Sequence, residues 1–323
     1  MPTSSSNRIR IGITMGDPAG IGPEVVIKAL GNLSVNRLGC FTIIGDAAIL
    51  SKYLKKKRLP NVTIASLDNV PRKNFRLGKI NPRCGTASLE YIDRALELLS
   101  SKQIDCLVTA PIHKGSIRLA GHSSFMGHTE YLAEKSKSKK ILMVLTADTF
   151  RVSLVTRHIP LQKVSAAITS QKVFEAIDST HDCLRSYFAI KKPRIAVCGL
   201  NPHAGEQGLL GTQDQRIIAP AVKKAQRAFE NVFGPLAADT VFFGMRRKKY
   251  DCVVAMYHDQ GLGPLKTLFF DKAINVTYGL PFVRTSPGHG TGFDIAGQGI
   301  ADPSSMIESI RLACRLTRNK KRK

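Results

Sequence analysis

The sequence predicts an α/β fold with a largely parallel sheet, arranged as two interleaved lobes. Short apolar runs alternate along the chain with stretches of helical periodicity, the pattern of strand–helix–strand units. At 323 residues the chain is long enough for a large core or two domains. No Pro/Gly/Ser hinge, low-complexity linker or internal repeat divides it, so two lobes that exchange chain segments fit better than two beads on a string.

In chain order, Ile9–Met15 reads as a strand, followed by the glycine loop 16–24 and a helix from Val25 to Leu30. Pro23 suits a first helical position and Glu24 the positive end of the helix dipole. A second strand is expected at 41–45. Leu89, Ile92, Leu96 and Leu99 recur at helical spacing, so 87–99 is read as an amphipathic helix feeding a buried strand, 106–110, that Pro111 stops. Further strands are expected at 141–145, 152–155, 195–197 and 252–256, and helices over much of 162–189, 214–231 and 303–317.

Composition excludes several classes. Hydrophobic residues at 43% and a mean hydropathy of −0.07 argue against disorder and against a polytopic membrane protein. No run of about 18 apolar residues occurs, so no bilayer span is expected. Residues 1–8 have no apolar segment of the secretory kind, and the seven cysteines are scattered without a CxxC. Both point to reduced thiols in a cytoplasmic protein.

Net charge is +24, from 48 Lys+Arg against 24 Asp+Glu. Two segments supply most of it. Residues 47–89 hold Lys52, Lys55, Lys56, Lys57, Arg58, Arg72, Lys73, Arg76, Lys79 and Arg83 against a single acid, Asp68. Residues 311–323 add Arg311, Arg315, Arg318, Lys320, Lys321, Arg322 and Lys323. Trp is absent and aromatics do not interleave with these runs, so no base-stacking surface is suggested. The charge reads as a solvated basic face with a frayed tail.

The usual nucleotide signatures are missing. Gly20-Ile-Gly22 is followed by Val25 where GxGxxG needs its third glycine, and no GxxxxGK[ST], GxSxG or HExxH occurs. What remains is four histidine-bearing loops: 127–130, 156–160, 199–206 and 256–261. Three of them follow apolar strands, and residues just past strand C-termini converge on one crevice in an open α/β sheet. Imidazoles delivered there suit a divalent metal, although from spacing alone hydrogen-bonded structural histidines fit as well. Lys266, Asn275 and Arg284 follow in a compact stretch, suited to carboxylate or phosphate recognition or to ordinary surface ion pairs. The glycine-dense run 286–303 could bring backbone N–H groups close to a nucleotide, or could be a tight-turn linker.

These motifs resemble one family. MGDPAGIGPE (15–24), GHTEYLAE (127–134), TRHIPL (156–161), GLNPHAGE (199–206), GPLAADT (234–240), MYHDQGLGPLK (256–266) and NVTYGLPFVRTSPGHGT (275–291) stand in the order found in 4-hydroxythreonine-4-phosphate dehydrogenases of pyridoxal-phosphate biosynthesis. The resemblance runs from about Ile11 to Leu312. The close of the last motif, HGTGFDIAGQGIADP, is similar to the cofactor loop of isocitrate and isopropylmalate dehydrogenases, whose two-lobed fold lacks the usual dinucleotide fingerprint.

The resemblance implies that fold, with the active site in the cleft between lobes formed by about 1–125 plus 265–323 and by about 126–264. It implies a homodimer with shared active sites and a divalent metal (Zn, Mg, Mn or Co) on His158, His203 and His258. His128, Thr129, Lys266, Asn275 and Arg284 would bind substrate. NAD, favoured over NADP, would lie against Gly288, His289, Gly290, Thr291 and Asp294. Lys266 or Asp239 would transfer the proton. The implied reaction is oxidation of 4-hydroxythreonine 4-phosphate at C3 and decarboxylation. A paralogue acting on phosphorylated threonate or erythronate would keep the same motifs. A nucleic-acid-binding protein on a retired enzyme scaffold predicts damaged histidine motifs, and here they are intact. Two departures stand out: the basic run Arg246–Lys249, and His113 where the family pattern leads one to expect Asn.

Overall fold

The computed structural model describes residues 8–54, 59–70 and 75–322. Lys55, Lys56, Lys57, Arg58, Arg72, Lys73 and Lys323 of the basic segments lie outside the described residues. By contacts the chain forms two compact units, Met1–Ser138 with Leu280–Arg322, and Lys139–Gly279. Relative to the sequence boundaries near 126 and 264, the second unit begins and ends later, because the strand at 274–278 pairs with the one at 142–147.

The first unit opens with β1 (Ile9–Thr14), α1 (Gly22–Leu30), α2 (Leu33–Asn36), β2 (Gly39–Gly45), α3 (Ala47–Leu54) and β3 (Val62–Ser66). It continues with α4 (Pro82–Ser100), β4 (Cys106–Thr109), α5 (Lys114–Leu119) and α6 (His128–Lys135). The expected amphipathic helix is therefore longer than 87–99. Asn81 caps it, its side chain accepting from the Arg83 N–H at 2.9 Å.

In the second unit the chain runs β5 (Leu142–Ala147), β6 (Phe150–Leu154), α7 (Leu161–Ala167), α8 (Ser170–Ser186) and β7 (Ile195–Cys198). Then come α9 (Ala219–Ala228), β8 (Val232–Leu236), α10 (Ala238–Arg246), β9 (Cys252–Ala255), α11 (His258–Phe269) and β10 (Ile274–Tyr278). The helical stretch expected over 162–189 is split at buried, extended Ile168, after which Thr169 caps α8 by accepting from the Lys172 N–H. Before α9, Asp214–Ile218 forms a π turn next to Pro220, which has no N–H to offer.

The chain returns to the first unit with β11 (Val283–Pro287) and α12 (Ser304–Lys321). There the strand order is β3-β2-β1-β4-β11 with every pairing parallel. Ile11, Ile13, Ile43, Ile44, Leu107 and Val108 fill its centre at no more than 1% exposure, as expected of strands covered on both faces. In the second unit the order is β10-β5-β6-β9-β7-β8. Both pairings of β5 are antiparallel, and β6, β9, β7 and β8 run parallel to one another. Phe150, Val152, Val253 and Leu265 belong to its core.

The expected frayed tail is corrected here. α12 carries on to Lys321 because Leu316 and Thr317 are buried. Arg318 donates to the Leu38 carbonyl, Lys320 to the Pro281 carbonyl at 2.7 Å, and Lys321 to Asp105 Oδ1 at 2.9 Å. No helix among the described residues is long and apolar enough to cross a membrane. The seven cysteines are all free, and only Cys40 is exposed.

Candidate active site

Parallel strands send their C-terminal loops to one end of a sheet. In the first unit this places together the loops after β1, β4 and β11, hence the glycine loop, His113 and the 288–302 segment. They are joined through the backbone. The Ile21 N–H donates to the Thr291 carbonyl at 2.9 Å. A Cβ on Gly20 would sit 2.8 Å from that same oxygen, so only glycine allows the approach. Glu24, 1% exposed, accepts from the Ala301 N–H at 3.0 Å and pairs with Lys28 at 2.7 Å. Lys28 also donates to the carbonyls of Gly299 and Ala301. Of the predicted cofactor residues, Gly288, His289, Gly290, Thr291 and Asp294 all lie on this segment, and Gly290 and Asp294 are exposed. The fit to a nucleotide is one of shape: glycines open the backbone, and neighbouring loops hold it in place.

Asp17 in the same loop is fully buried. One carboxylate oxygen accepts from the Ala19 N–H at 2.8 Å, and the other makes no hydrogen bond among the described residues. Burial pushes its pKa up to about 6, against the pull of the Ala19 N–H and the Ser116 hydroxyl.

The unit also holds a buried cationic group. Arg284 on β11 is 2% exposed and donates from Nε and Nη2 to Thr109 Oγ1, at 3.2 and 2.6 Å. Burial lowers its pKa to about 10, opposed by Glu130, so it stays charged at neutral pH. His128, first residue of α6, is held neutral chiefly by burial and then by the positive charges of Arg284 and Lys114. Its Nε2 is buried and makes no hydrogen bond among the described residues. Thr129 beside it is 4% exposed. A guanidinium, an ammonium and an imidazole so arranged suit a phosphate or carboxylate. Thr109 and Lys114 carry no motif of their own, and only their positions at the end of β4 and the start of α5 could have pointed to them; Glu130 stands within GHTEYLAE, but nothing in that motif marks it as the charge facing Arg284.

In the second unit β6, β7, β9 and β8 deliver His158, His203, His258 and Asp239 to one end of the sheet. The loops are tied beneath. Thr156 donates to the Met256 carbonyl through N–H and Oγ1, at 3.1 and 2.7 Å. Gln260 accepts from the Met256 N–H at 2.7 Å and donates to the Gly199 carbonyl at 2.8 Å. The Gly199 N–H donates to the Leu236 carbonyl, joining the β7 and β8 ends.

His203 lies on a turn of unusual backbone: His203, Ala204, Gly205, Glu206 and Gln207 all have positive φ, from 39° to 82°. Fully buried Asp214 holds the approach to that turn, accepting from the Leu200 N–H at 2.7 Å and from Asn201 Nδ2 at 2.8 Å. Nothing local in the sequence announces Asp214, eleven residues downstream of His203 in a polar stretch.

The rings of His158 and His258 lie 5.6 Å apart, and Asp259 Oδ1 stands 2.6 Å from His258 Nδ1, which leaves Nε2 for a ligand. No group of three His, Cys, Asp or Glu side chains among the described residues is close enough to hold a cation. The fold thus pairs two of the three predicted ligands and leaves His203 outside the pair. Imidazole donors fit a zinc-like ion, and a full set needs a donor from elsewhere. Of the other predicted residues in this unit, Asp239 is exposed, Lys266 half-buried with Nζ 5.8 Å from the Phe270 ring centroid, and Asn275 has a buried Oδ1 with no hydrogen bond among the described residues.

The opposite end of the first unit's strands carries a pocket of about 1030 Å³, lined by Arg10, Leu99, Ile104, Phe282 and Lys320 among others, and by no predicted site residue.

Residues 37–313 match the family model described as pyridoxal phosphate biosynthetic protein PdxA. A 4-hydroxythreonine-4-phosphate dehydrogenase of Desulforapulum autotrophicum is 40% identical over 96% of this chain and 96% of its own. A D-threonate 4-phosphate dehydrogenase of Salmonella typhimurium is 40% identical over 95% and 98%. The crystal structure of a 4-hydroxythreonine-4-phosphate dehydrogenase from Klebsiella pneumoniae is 36% identical, with a TM-score of 0.85 over 97% of this chain and 99% of that one. Isocitrate dehydrogenase of Methylococcus capsulatus, 15% identical over 97% of this chain and 87% of its own, shares the fold at a TM-score of 0.52.

Proposed function

The chain belongs to the PdxA family of pyridoxal phosphate biosynthetic proteins, and from that premise we propose that it oxidises 4-hydroxythreonine 4-phosphate at the C3 hydroxyl with NAD and releases CO2 to leave 3-amino-2-oxopropyl phosphate. The observation that carries the reading is that one chain holds both a buried Arg284–His128 group suited to a phosphorylated acid and an imidazole pair, His158 and His258, suited to a metal.

Each group has a task set by its chemistry. Arg284, charged and buried, would anchor an anionic group of the substrate, with neutral His128 and Thr129 as hydrogen-bonding partners. Lys266 and Asn275 are the further polar contacts proposed for substrate. His158, His203 and His258 would hold a divalent cation, which when bound supplies Lewis acidity worth several kcal/mol. Lys266 or Asp239 would take the hydroxyl proton as hydride leaves C3 for the nicotinamide. The resulting β-keto acid loses CO2 readily, since its carbonyl accepts the electron pair. NAD would lie along 288–294, and a second copy of the chain would complete the ligand set that one chain leaves at two paired imidazoles.

A second reading has its own support: the D-threonate 4-phosphate dehydrogenase is as similar as the first relative. The two substrates differ at C2, amine against hydroxyl. Purified protein assayed for NADH formation with Zn²⁺, Mg²⁺, Mn²⁺ or Co²⁺ decides between them. Turnover of 4-hydroxythreonine 4-phosphate is expected; turnover of threonate 4-phosphate alone would establish the second reading, and none with either would overturn both. Light scattering should give twice the 35.3 kDa chain mass.

A further inference from the structure

We infer that His113 is a positioning residue for the cofactor loop: its ring, fixed at the start of α5, holds Phe293 and with it the 288–302 segment in the form that receives the nucleotide. This rests on the reading that NAD lies along that segment.

Gly288, Gly290, Gly292, Gly297 and Gly299 make this backbone costly to order. Its two flanks have polar anchors already described, Thr291 on Ile21 and residues 299–301 on Glu24 and Lys28. Between them the segment bonds mainly to itself, Ile295 to Gly292 and Gln298 to Ile295 and Asp294. The aromatic anchor in this stretch is Phe293, stacked on His113 with ring centroids 4.7 Å apart and planes 25° from parallel.

His113 is itself held. Its Nδ1 accepts from the Ser116 N–H at 3.0 Å as the cap of α5, and Ser116 Oγ lies 3.2 Å from the same nitrogen. Ser116 is fully buried, and its Oγ also accepts from the Asn81 N–H at 3.5 Å, which ties the ring's support to the start of α4. Gly115 leaves the space the ring occupies: a Cβ there would meet it at 2.7 Å. Burial lowers the His113 pKa, which keeps the ring neutral for stacking. The position departs from the pattern that leads one to expect Asn. Asn would cap the helix equally well but has no ring face to offer.

His113→Asn therefore removes the stack and spares the cap. Two measurements on the full-length protein test the idea: amide hydrogen exchange of 288–302 without nucleotide, and NAD titration by calorimetry alongside steady-state kinetics. In H113N, exchange across 288–302 should quicken, NAD affinity should weaken about three- to tenfold, and KM for NAD should rise more than kcat falls. F293A should give the same loss, and the double variant little more. Unchanged loop exchange in H113N overturns the clamp itself. Faster exchange with unchanged NAD affinity overturns the cofactor reading while leaving the clamp's geometry standing. Additive losses in the double variant overturn the coupling of the two rings.

Discussion

The glycine loops of the first unit and the histidine loops of the second are built by opposite means. In the first, backbone groups and buried charges are matched within the chain: Thr291 to Ile21, Ala301 to Glu24, Gly299 to Lys28. In the second, the loops are pinned from below by Thr156, Gln260 and Asp214, while His158, His203 and Asp239 stand exposed above them. On the proposed reading, a surface that would take a nucleotide through its backbone is finished once the chain folds, whereas a set of imidazole donors would be finished by what binds it. The left-handed run at 203–207 fits this division, since such backbone costs about 1–2 kcal/mol per non-glycine residue and survives only where its surroundings enforce it.

His203→Ala separates the two loop sets most clearly. His203 is exposed and Ala204 already occupies the same backbone region, so melting temperature should barely move. Turnover should fall about 10³-fold or more, the scale of lost Lewis-acid assistance. Metal content per chain, measured after dialysis, should drop with it. Near-normal activity with metal retained would remove His203 from the ligand set and leave the second unit's loops without their proposed task.

Next in size is Asp17→Asn, which tests the exception in the first unit, a buried carboxylate oxygen with no hydrogen bond among the described residues. Burial raises this carboxyl from 3.8 to about 6, so the folded protein holds the proton more tightly than the unfolded chain does. The contribution of this group to stability is then greatest below about pH 4 and declines as pH rises through 6, by up to about 3 kcal/mol. Asn cannot titrate, so its stability should stay flatter between pH 4 and 6 in denaturant titrations. Parallel curves for the two proteins would show Asp17 to be ionised at little cost.

How far the sequence reaches follows the same division. Apolar runs such as Ile9–Met15 and Cys252–Met256 announce themselves because both faces of their strands are covered. Motif residues on the loops were legible through resemblance, which reads chemistry and ignores distance. β3, β8, β10 and β11 are not among the expected strands: Val232–Leu236 contains Gly and Pro, and Ile274–Tyr278, although it alternates as a half-buried strand does, is only five residues long. Asp214 on Leu200 and Asn201, and Phe293 on His113, are contacts across 13 to 14 and 180 residues, and no local pattern encodes them.

A smaller effect, on the first unit alone, is expected from Lys28→Met. Two carbonyls on the 299–301 segment lose their donor and Glu24 loses its cation, at a cost of about 2 kcal/mol. If this backbone holds NAD, KM for NAD should rise about tenfold with kcat little changed. A fall in kcat with unchanged KM would place the segment's role in the chemistry instead.

The smallest effect concerns charge outside both loop sets. Lys321, 58% exposed, pairs with Asp105, which also accepts from Arg10. Burial alone would raise the Asp105 pKa, but hydrogen bonds from Arg10 and Lys321 outweigh it and hold the group at about 2. Its stabilisation is therefore present above about pH 4 and is lost as pH falls toward 2. Lys321→Ala should cost less than about 1 kcal/mol at neutral pH, less again in high salt, and should move acid unfolding to higher pH. NAD affinity and kcat/KM at low salt should stay within about twofold, because this end of α12 braces the N-terminal ends of β1 and β4, away from the loops past their C-termini. A marked fall in kcat/KM at low salt alone would instead give the basic tail a role in drawing the anionic substrate to the enzyme.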